Sequence, residues 1–222
     1  MPRLWNNRRS VEPSVEPVKL ETAKRNCDLD DSYRDDDLKL WITEAREQVE
    51  HAARTALITQ THVMQFHDFV GDMKHQDLTG ASKESYVEAD YDGEVSSEYI
   101  ELLAVNPVQS VSSITYLDTN GDSQTLSTDV YGVDVARKPA RIYLKSGQSW
   151  PDVYDQQNAV TVTYVAGYGD DPDDVPAAAR ALIMMLVRHR FDTPDLIAAG
   201  RYQPTPFGYD TMISRLSWGT YP

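Results

Sequence analysis

Apolar side chains recur at helical spacing in two widely separated segments of the chain. The first stripe covers 38–56, and three aspartates precede it, where the unpaired N–H groups of a helix start favour negative charge. The second covers 177–190, begins after Pro176 and ends on cationic side chains, as the helix dipole favours. Shorter helices are predicted at 20–26 and 209–216. Helices therefore lie towards both ends of the chain, and the two long stripes are expected to pack together.

Between these helices the pattern changes to short runs rich in Thr, Val, Tyr and Ser, separated by turn signals. Asn120-Gly121 lies between two such runs, and this dipeptide is typical of a hairpin. Residues 71–95 are polar and predict a long excursion from the sheet. The predicted strands are 63–69, 99–103, 108–117, 124–126, 130–135, 141–144 and 159–165.

These patterns predict an α+β fold, a small bundle of N-terminal and C-terminal helices with an all-β insertion between them. The bundle takes 18–58 and 170–217, and the insertion takes 59–169. Residues 1–17 hold three Arg, three Pro and few groups that could pack, so they predict an extended N-terminal arm. Prolines and glycines set off a C-terminal attachment segment, 204–222.

Composition narrows the class of protein. Of 222 residues, 41% are hydrophobic, and 13 Tyr and 4 Trp are present, which predicts a globular chain. Cys27 is the single cysteine, which excludes a disulfide within one subunit and fits a reducing cytoplasm. No stretch of the sequence has the length and hydrophobicity of a membrane span, so we expect a soluble protein.

The formal net charge of −14 argues against wrapping nucleic acid, which requires an excess of Lys and Arg. Two interpretations of the acidity remain open. It can be a solvated surface that aids solubility, or it can be a wall past which DNA slides without binding.

No sequence motif points to catalysis. Walker and nucleophile-elbow patterns are absent, and Ala166-Gly167-Tyr168-Gly169 is better explained as a turn after the last strand. His62 and His67 are expected on opposite faces of a strand, so ordinary surface or interface histidines are favoured over metal ligands. The cluster 170–174 is interpreted as a helix start, with a calcium site as the alternative. We predict no catalytic residue, no cofactor and no metal ligand, and hence not an enzyme.

Three blocks of sequence carry a resemblance to a known family. The first runs from a Pro-Val-x-Leu start into a long helix that ends on Val49-Glu50-His51-Ala52-Ala53-Arg54-Thr55-Ala56-Leu57. The second holds Asn106-Pro107-Val108, Asp118-Thr119-Asn120-Gly121, Tyr131-Gly132-Val133-Asp134 and Trp150-Pro151. The third is Val160-Thr161-Val162-Thr163-Tyr164-Val165-Ala166-Gly167-Tyr168-Gly169, followed by Val175-Pro176 and the apolar helix.

In order and spacing, these blocks resemble the head–tail connector (adaptor) family of long-tailed bacteriophages and gene-transfer particles. The match covers most of 16–191, although the glycine that usually ends the first block is replaced here, and 1–15 and 71–95 depart from the family. The resemblance implies a structural subunit, not an enzyme, that forms a ring of about twelve copies below the portal. Such a ring extends the DNA channel and docks the next neck or tail protein.

The implied partners are further copies of the chain, the portal protein and a stopper or tail-side neck protein. DNA passes through without specific binding, no membrane is involved, and the location is the virion head–tail junction, assembled in the bacterial host cytoplasm. We predict that portal contacts come from the C-terminal side chains, with folding back onto the bundle as the alternative. These are Phe207, Tyr209, Met212, Ile213, Leu216, Trp218 and Tyr221. Contacts of the N-terminal arm are predicted for Arg3, Trp5, Arg8 and Arg9.

Two other functions remain open at this stage. The chain could be a different neck or tail component, such as a stopper or tail terminator, although such proteins tend to be mainly β. It could also be a cell-wall hydrolase with its site in the β insertion, which would require convergent carboxylates or a metal.

Overall fold

The computed structural model describes residues 6–69, 99–102, 104–192 and 208–217. Two compact units share the chain. The β unit takes Met1–Ser10, Thr61–Ala104 and Val108–Val165, and the helical unit takes Val11–Gln60, Val105–Pro107 and Ala166–Pro222. This is the predicted α+β fold, in which terminal helices flank an all-β insertion. The predicted excursion at 71–95 lies outside the described residues.

Helices α1 to α4 form the helical unit, and their bounds are Leu20–Asn26, Asp35–Ala53, Ala177–Asp192 and Tyr209–Leu216. Most of the apolar stripe of α2 is buried, although Trp41 is only partly buried and Ala52 is exposed, and α2 packs on α3, as the sequence predicted. The shared core includes Ile42, Val49 and Leu182, each no more than 2% exposed. Burial of such side chains, at roughly 2 kcal/mol each, is the main force that holds these helices together.

Helix α2 ends earlier than the sequence predicted. Arg54 adopts the left-handed conformation, with φ 50° and ψ 46°, and thereby closes the helix after Ala53. Its start at Asp35 does carry three aspartates in the first turn. Beyond the helix end, the N–H of Ala56 donates to the carbonyl of Asn106 at 2.9 Å, and Leu57 and Ile58 are buried in the core of the helical unit.

Strands β1 to β8 form the β unit, with the bounds Asn6–Val11, Gln60–Phe66, Tyr99–Leu102, Val108–Leu117, Ser123–Thr125, Tyr131–Asp134, Ala140–Leu144 and Val160–Ala166. One sheet has five strands in the order β1-β2-β8-β4-β5, and a second has three in the order β3-β7-β6. Strands β4 and β5 form the hairpin predicted around Asn120-Gly121, and Gly121 supplies the positive φ of 87°. Within the predicted arm, Asn6–Val11 is the edge strand β1, which no apolar alternation had indicated.

The glycine after β8 makes a sharp turn, as the sequence indicated. Gly167 has φ 137°, and a Cβ there would meet the backbone N of Thr59 at 2.6 Å and the carbonyl carbon of Ile58 at 2.7 Å. Its N–H donates to the carbonyl of Pro107 at 2.9 Å. Both the backbone conformation and the close approach therefore require glycine.

Gly167→Ala should lower the free energy of unfolding by about 2 kcal/mol, because the methyl group strains the turn and clashes with backbone. Gly147→Ala is the matched control, since Gly147 has φ 77° with nothing within 4 Å of a Cβ. That control should cost only about 1 kcal/mol. Urea unfolding measures both, and equal losses would show that the predicted clash at Gly167 is relieved.

Candidate functional site

The acidic cluster at 170–174 is a helix start in the structure. Pro172–Asp174 form a 3-10 turn, and Asp171 and Asp174 cap it reciprocally through their carboxylates. Asp173 pairs with Arg180 at 2.8 Å. These carboxylates are engaged in capping and pairing, which favours the predicted helix start over the calcium alternative. Across the described ranges, no three His, Cys, Asp or Glu side chains are grouped to hold a metal ion.

Cys27 is buried at the end of α1, and burial raises the pKa of its thiol. A thiol with a raised pKa is a poor nucleophile at neutral pH. In the part of the chain with assigned structure, no helix is long and apolar enough to span a membrane.

Helix α4 contains four of the predicted portal contacts. Tyr209 and Leu216 are 7% exposed and belong to the core of the helical unit, while Met212 and Ile213 are partly buried against that core. The alternative, folding back onto the bundle, therefore holds for Tyr209 and Leu216 of α4. The large apolar side chains for which a partner contact was predicted are equally suited to packing on α2 and α3. Phe207, Trp218 and Tyr221 lie outside the described residues.

Leu216→Ala should lower the free energy of unfolding by about 2 kcal/mol, because it leaves a cavity where α4 packs on its own unit. Arg215→Ala, at the exposed neighbouring position, should change it by less than about 0.5 kcal/mol. Chemical denaturation followed by Trp fluorescence compares the two variants. Equal stability of both would mean that α4 is not part of the folded core in solution.

The N-terminal strand β1 carries two of the predicted arm contacts. Arg8 is exposed and Arg9 half-buried, while Arg3 and Trp5 lie outside the described residues. Asn7 accepts from the Tyr164 hydroxyl at 3.3 Å, and its amide nitrogen lies 3.4 Å from Nδ1 of His62. The His62 ring stacks on Tyr164 with the centroids 5.6 Å apart. His62 is thus buried, and the surface or interface location expected from the sequence is wrong for it.

A buried ionic network joins the end of the arm to α2. The Arg46 side chain is 3% exposed, and it pairs with Glu16 and Glu50 at 2.9 Å each. Glu50 also accepts hydrogen bonds from the backbone N–H of Leu57 and the side chain of Gln60. Burial alone would lower the pKa of Arg46, but the two carboxylates raise it above its ordinary value. Sequence patterns place charged residues outside the core, so they could not reveal this network.

The three-stranded sheet has an outward face with aromatic and charged side chains. Arg141 donates to Glu101 at 2.8 Å, and its guanidinium lies 3.9 Å from the centre of the Tyr99 ring. Tyr143, which is 45% exposed, pairs opposite Gly132 and fills the space that a Cβ there would need. Tyrosine and arginine side chains held in this way are typical of protein contact surfaces.

The outward face of α2 is acidic. Asp36, Asp37, Glu44 and Glu47 are exposed along it. Leu40, at 65% exposure, is an isolated apolar side chain on the same helix. Such a face repels phosphate backbones and other acidic surfaces at short range.

No family model matches the chain, and no curated protein matches its sequence. Its fold is similar to that of solved structures from gene transfer agent (GTA) particles. One is described as the virion of a native GTA particle, with 12% identity, a TM-score of 0.67, and coverage of 98% of this chain and 97% of that one. Another is the neck of an empty GTA particle computed with C6 symmetry, with 15% identity, a TM-score of 0.68, and 97% coverage of both chains. A third is the neck of a native GTA particle computed with C12 symmetry, with 15% identity, a TM-score of 0.59, and coverage of 96% and 97%.

Proposed function

We propose that this chain is a structural subunit of the neck of a phage or phage-like particle, a head–tail connector (adaptor) and not an enzyme. The observation that carries the proposal is the shared fold, which extends over at least 96% of this chain and 97% of chains from GTA necks. Tyrosine, arginine and acidic side chains on the sheet face and on α2 agree with a protein that functions by binding other subunits.

In this proposal the subunits form a ring of about twelve copies between the portal and a stopper or tail-side neck protein. One of the similar necks is described with C12 symmetry, which favours that number, and the C6 symmetry of the other is compatible with it. The ring belongs to the virion, is assembled in the host cytoplasm, and extends the channel through which DNA passes.

Copy number in purified particles tests this role. Quantitative mass spectrometry should give about twelve copies per particle, equal to the portal subunit, and electron microscopy should show the chain at the head–tail junction. Particles made without the chain should separate into DNA-filled heads and free tails. A count of about six would instead favour a sixfold neck component such as a stopper, and absence from the neck would refute the proposal.

The portal contact remains part of the proposal, but in a narrower form. Tyr209 and Leu216 support the fold of the subunit, so a portal contact depends on the residues around α4, above all Trp218 and Tyr221. A chain that stops after Ser217 should keep its stability but no longer attach to portal-bearing heads, because aromatic anchors dominate such contacts. Thr211→Ala, an exposed change in α4, is the control. Normal attachment of the truncated chain would contradict the portal role.

A DNA channel through the ring should have an acidic wall. The net charge of −14 and the acidic face of α2 support a wall that repels DNA and keeps it mobile. The purified protein should therefore show no salt-sensitive binding to linear duplex DNA at about 50 mM salt. Fluorescence anisotropy measures this binding, and tight binding that weakens as salt increases would contradict the prediction.

A further inference from the structure

Strand β1 is composed almost entirely of polar residues. It lies at the edge of the five-stranded sheet, next to β2. Its sequence, Asn-Asn-Arg-Arg-Ser-Val, contains one large apolar side chain, Val11, which is 56% exposed. Besides the backbone pairing, its contacts include those of Asn7 with His62 and Tyr164, and the Ser10 hydroxyl, which donates to the Thr61 carbonyl at 3.2 Å. Release of β1 therefore exposes little apolar surface of its own.

The edge of β2 on which β1 lies nevertheless selects for a particular strand. Removal of β1 would leave the backbone groups along β2 without partners, and an open strand edge readily pairs with another strand. It would also take Asn7 away from the largely buried pair His62 and Tyr164, which are 6% and 0% exposed. A strand that replaces β1 must therefore offer an asparagine at the same place. Another copy of β1 does so.

The chain between β1 and α1 sets how far β1 can move. The hinge holds Pro13 and Pro17, which restrict its conformations. Glu16 fixes the far end of the hinge on α2, because its carboxylate binds Thr43 at 2.8 Å and Arg46 at 2.9 Å. Five residue steps separate Glu16 from Val11, the last residue of β1. Val11 can therefore lie up to about 17 Å from Glu16.

We propose that in the assembled ring β1 of each copy pairs with β2 of the neighbouring copy. This inference rests on the proposed ring. Exchange preserves the pairing of β1 with β2 and the contacts of Asn7 and Ser10, because each neighbour offers the same edge, and the ring holds that edge close by. Charge favours the exchange as well, since residues 1–10 hold three arginines and no acidic residue on a chain of net charge −14. A basic strand that crosses to the next copy offsets the repulsion between acidic subunits.

Pairwise crosslinking between two single-cysteine chains tests the exchange. Both chains carry Cys27→Ala; one also carries Ser10→Cys and the other Thr61→Cys. Positions 10 and 61 are neighbours across β1 and β2, where the Ser10 hydroxyl meets the Thr61 carbonyl at 3.2 Å. Rings assembled from the mixture are treated with a short bifunctional thiol reagent and run on a denaturing gel. Exchange predicts a covalent dimer in the mixture and little in either chain alone, and a chain with both cysteines should give a ladder of higher oligomers.

The control pair is Thr115→Cys and Thr125→Cys, which face each other in the β4–β5 hairpin of one subunit. In a single chain with Cys27→Ala, this pair should crosslink only within the chain and run as a monomer. If electron microscopy shows rings but the pair at 10 and 61 also gives only monomers, the exchange is refuted and the proposed ring stands. If the chain never assembles into rings, with or without a portal, both proposals fail.

Discussion

Replacement of Arg46 by methionine should lower the free energy of unfolding by about 3–5 kcal/mol, because it leaves the buried Glu50 carboxylate and the partly exposed Glu16 carboxylate without their counter-charge. Methionine keeps the apolar part of the side chain, so the loss reports the charge and its hydrogen bonds. Arg46 is 3% exposed and Glu50 9% exposed, so water cannot replace the guanidinium fully. Urea unfolding of the full chain measures the difference.

A matched ion pair on the surface of the same helix provides the control. Lys39 pairs with Asp36 at 3.0 Å, but the two side chains are 60% and 97% exposed. Lys39→Met should therefore change stability by less than about 1 kcal/mol. Adding Glu50→Gln to Arg46→Met should recover part of the loss, since an amide still accepts from the N–H of Leu57 without a buried charge. Equal stability of the Arg46 and Lys39 variants would show that the network does not stabilise the fold.

The sequence predicted the elements whose own pattern specifies them. Helix α1 and strand β4 have the predicted bounds, and the other helices and strands between α1 and α4 lie within a few residues of theirs. In these segments the period of the apolar residues matches the element, since one face is buried against the same unit. In these segments the local pattern and the tertiary packing favour the same element, so the pattern alone predicts it.

Elements specified by partners distant in sequence were missed. Strand β1 has no apolar alternation, because its position depends on the edge of β2 and on side chains up to 157 residues away, such as Tyr164. The early end of α2 depends on Arg54 in a left-handed conformation, which a sequence pattern does not favour for arginine.

Sequence patterns also do not distinguish a binding surface from a core surface on α4. The apolar spacing of α4 fits both a partner contact and the core of its own unit, and hydrophobicity does not distinguish between them. Residues Tyr209 and Leu216 show that the core takes at least part of that face. Buried charges such as Arg46 leave no periodic signal at all, since the burial of a charge depends on the partners that surround it.

His62 gives the chain a pH-dependent stability that its sequence does not reveal. Its ring contacts Asn7 of β1 and Tyr164 of β8, and it feels the positive charge of Arg9. Asn7 donates to Nδ1, so the proton of the neutral ring is on Nε2, which is buried and has no hydrogen-bond partner among the residues that the structure describes. Burial, with a smaller contribution from the positive charge of Arg9, lowers the pKa of His62 from 6.5 to about 4.

His62 binds a proton at different pH values in the folded and in the unfolded chain. Above about pH 6.5 His62 is neutral in both the folded and the unfolded chain, so its full contribution to stability is present. Between pH 6.5 and pH 4 the unfolded chain binds a proton that the folded chain does not, so stability falls as the pH falls. Below about pH 4 both states carry the proton, and the accumulated loss is about 3 kcal/mol.

His62→Gln isolates this effect, because carboxylates that titrate in the same range are common to both proteins and cancel in the difference. The free energy of unfolding, measured in urea from pH 7 to pH 4, should fall less steeply for the variant, so that the gap between the two proteins changes by about 3 kcal/mol across the range. Parallel curves for His62→Gln and the parent protein would mean that His62 accepts a proton in the folded chain as easily as in the unfolded one. Such a result would contradict the burial of the ring beneath β1.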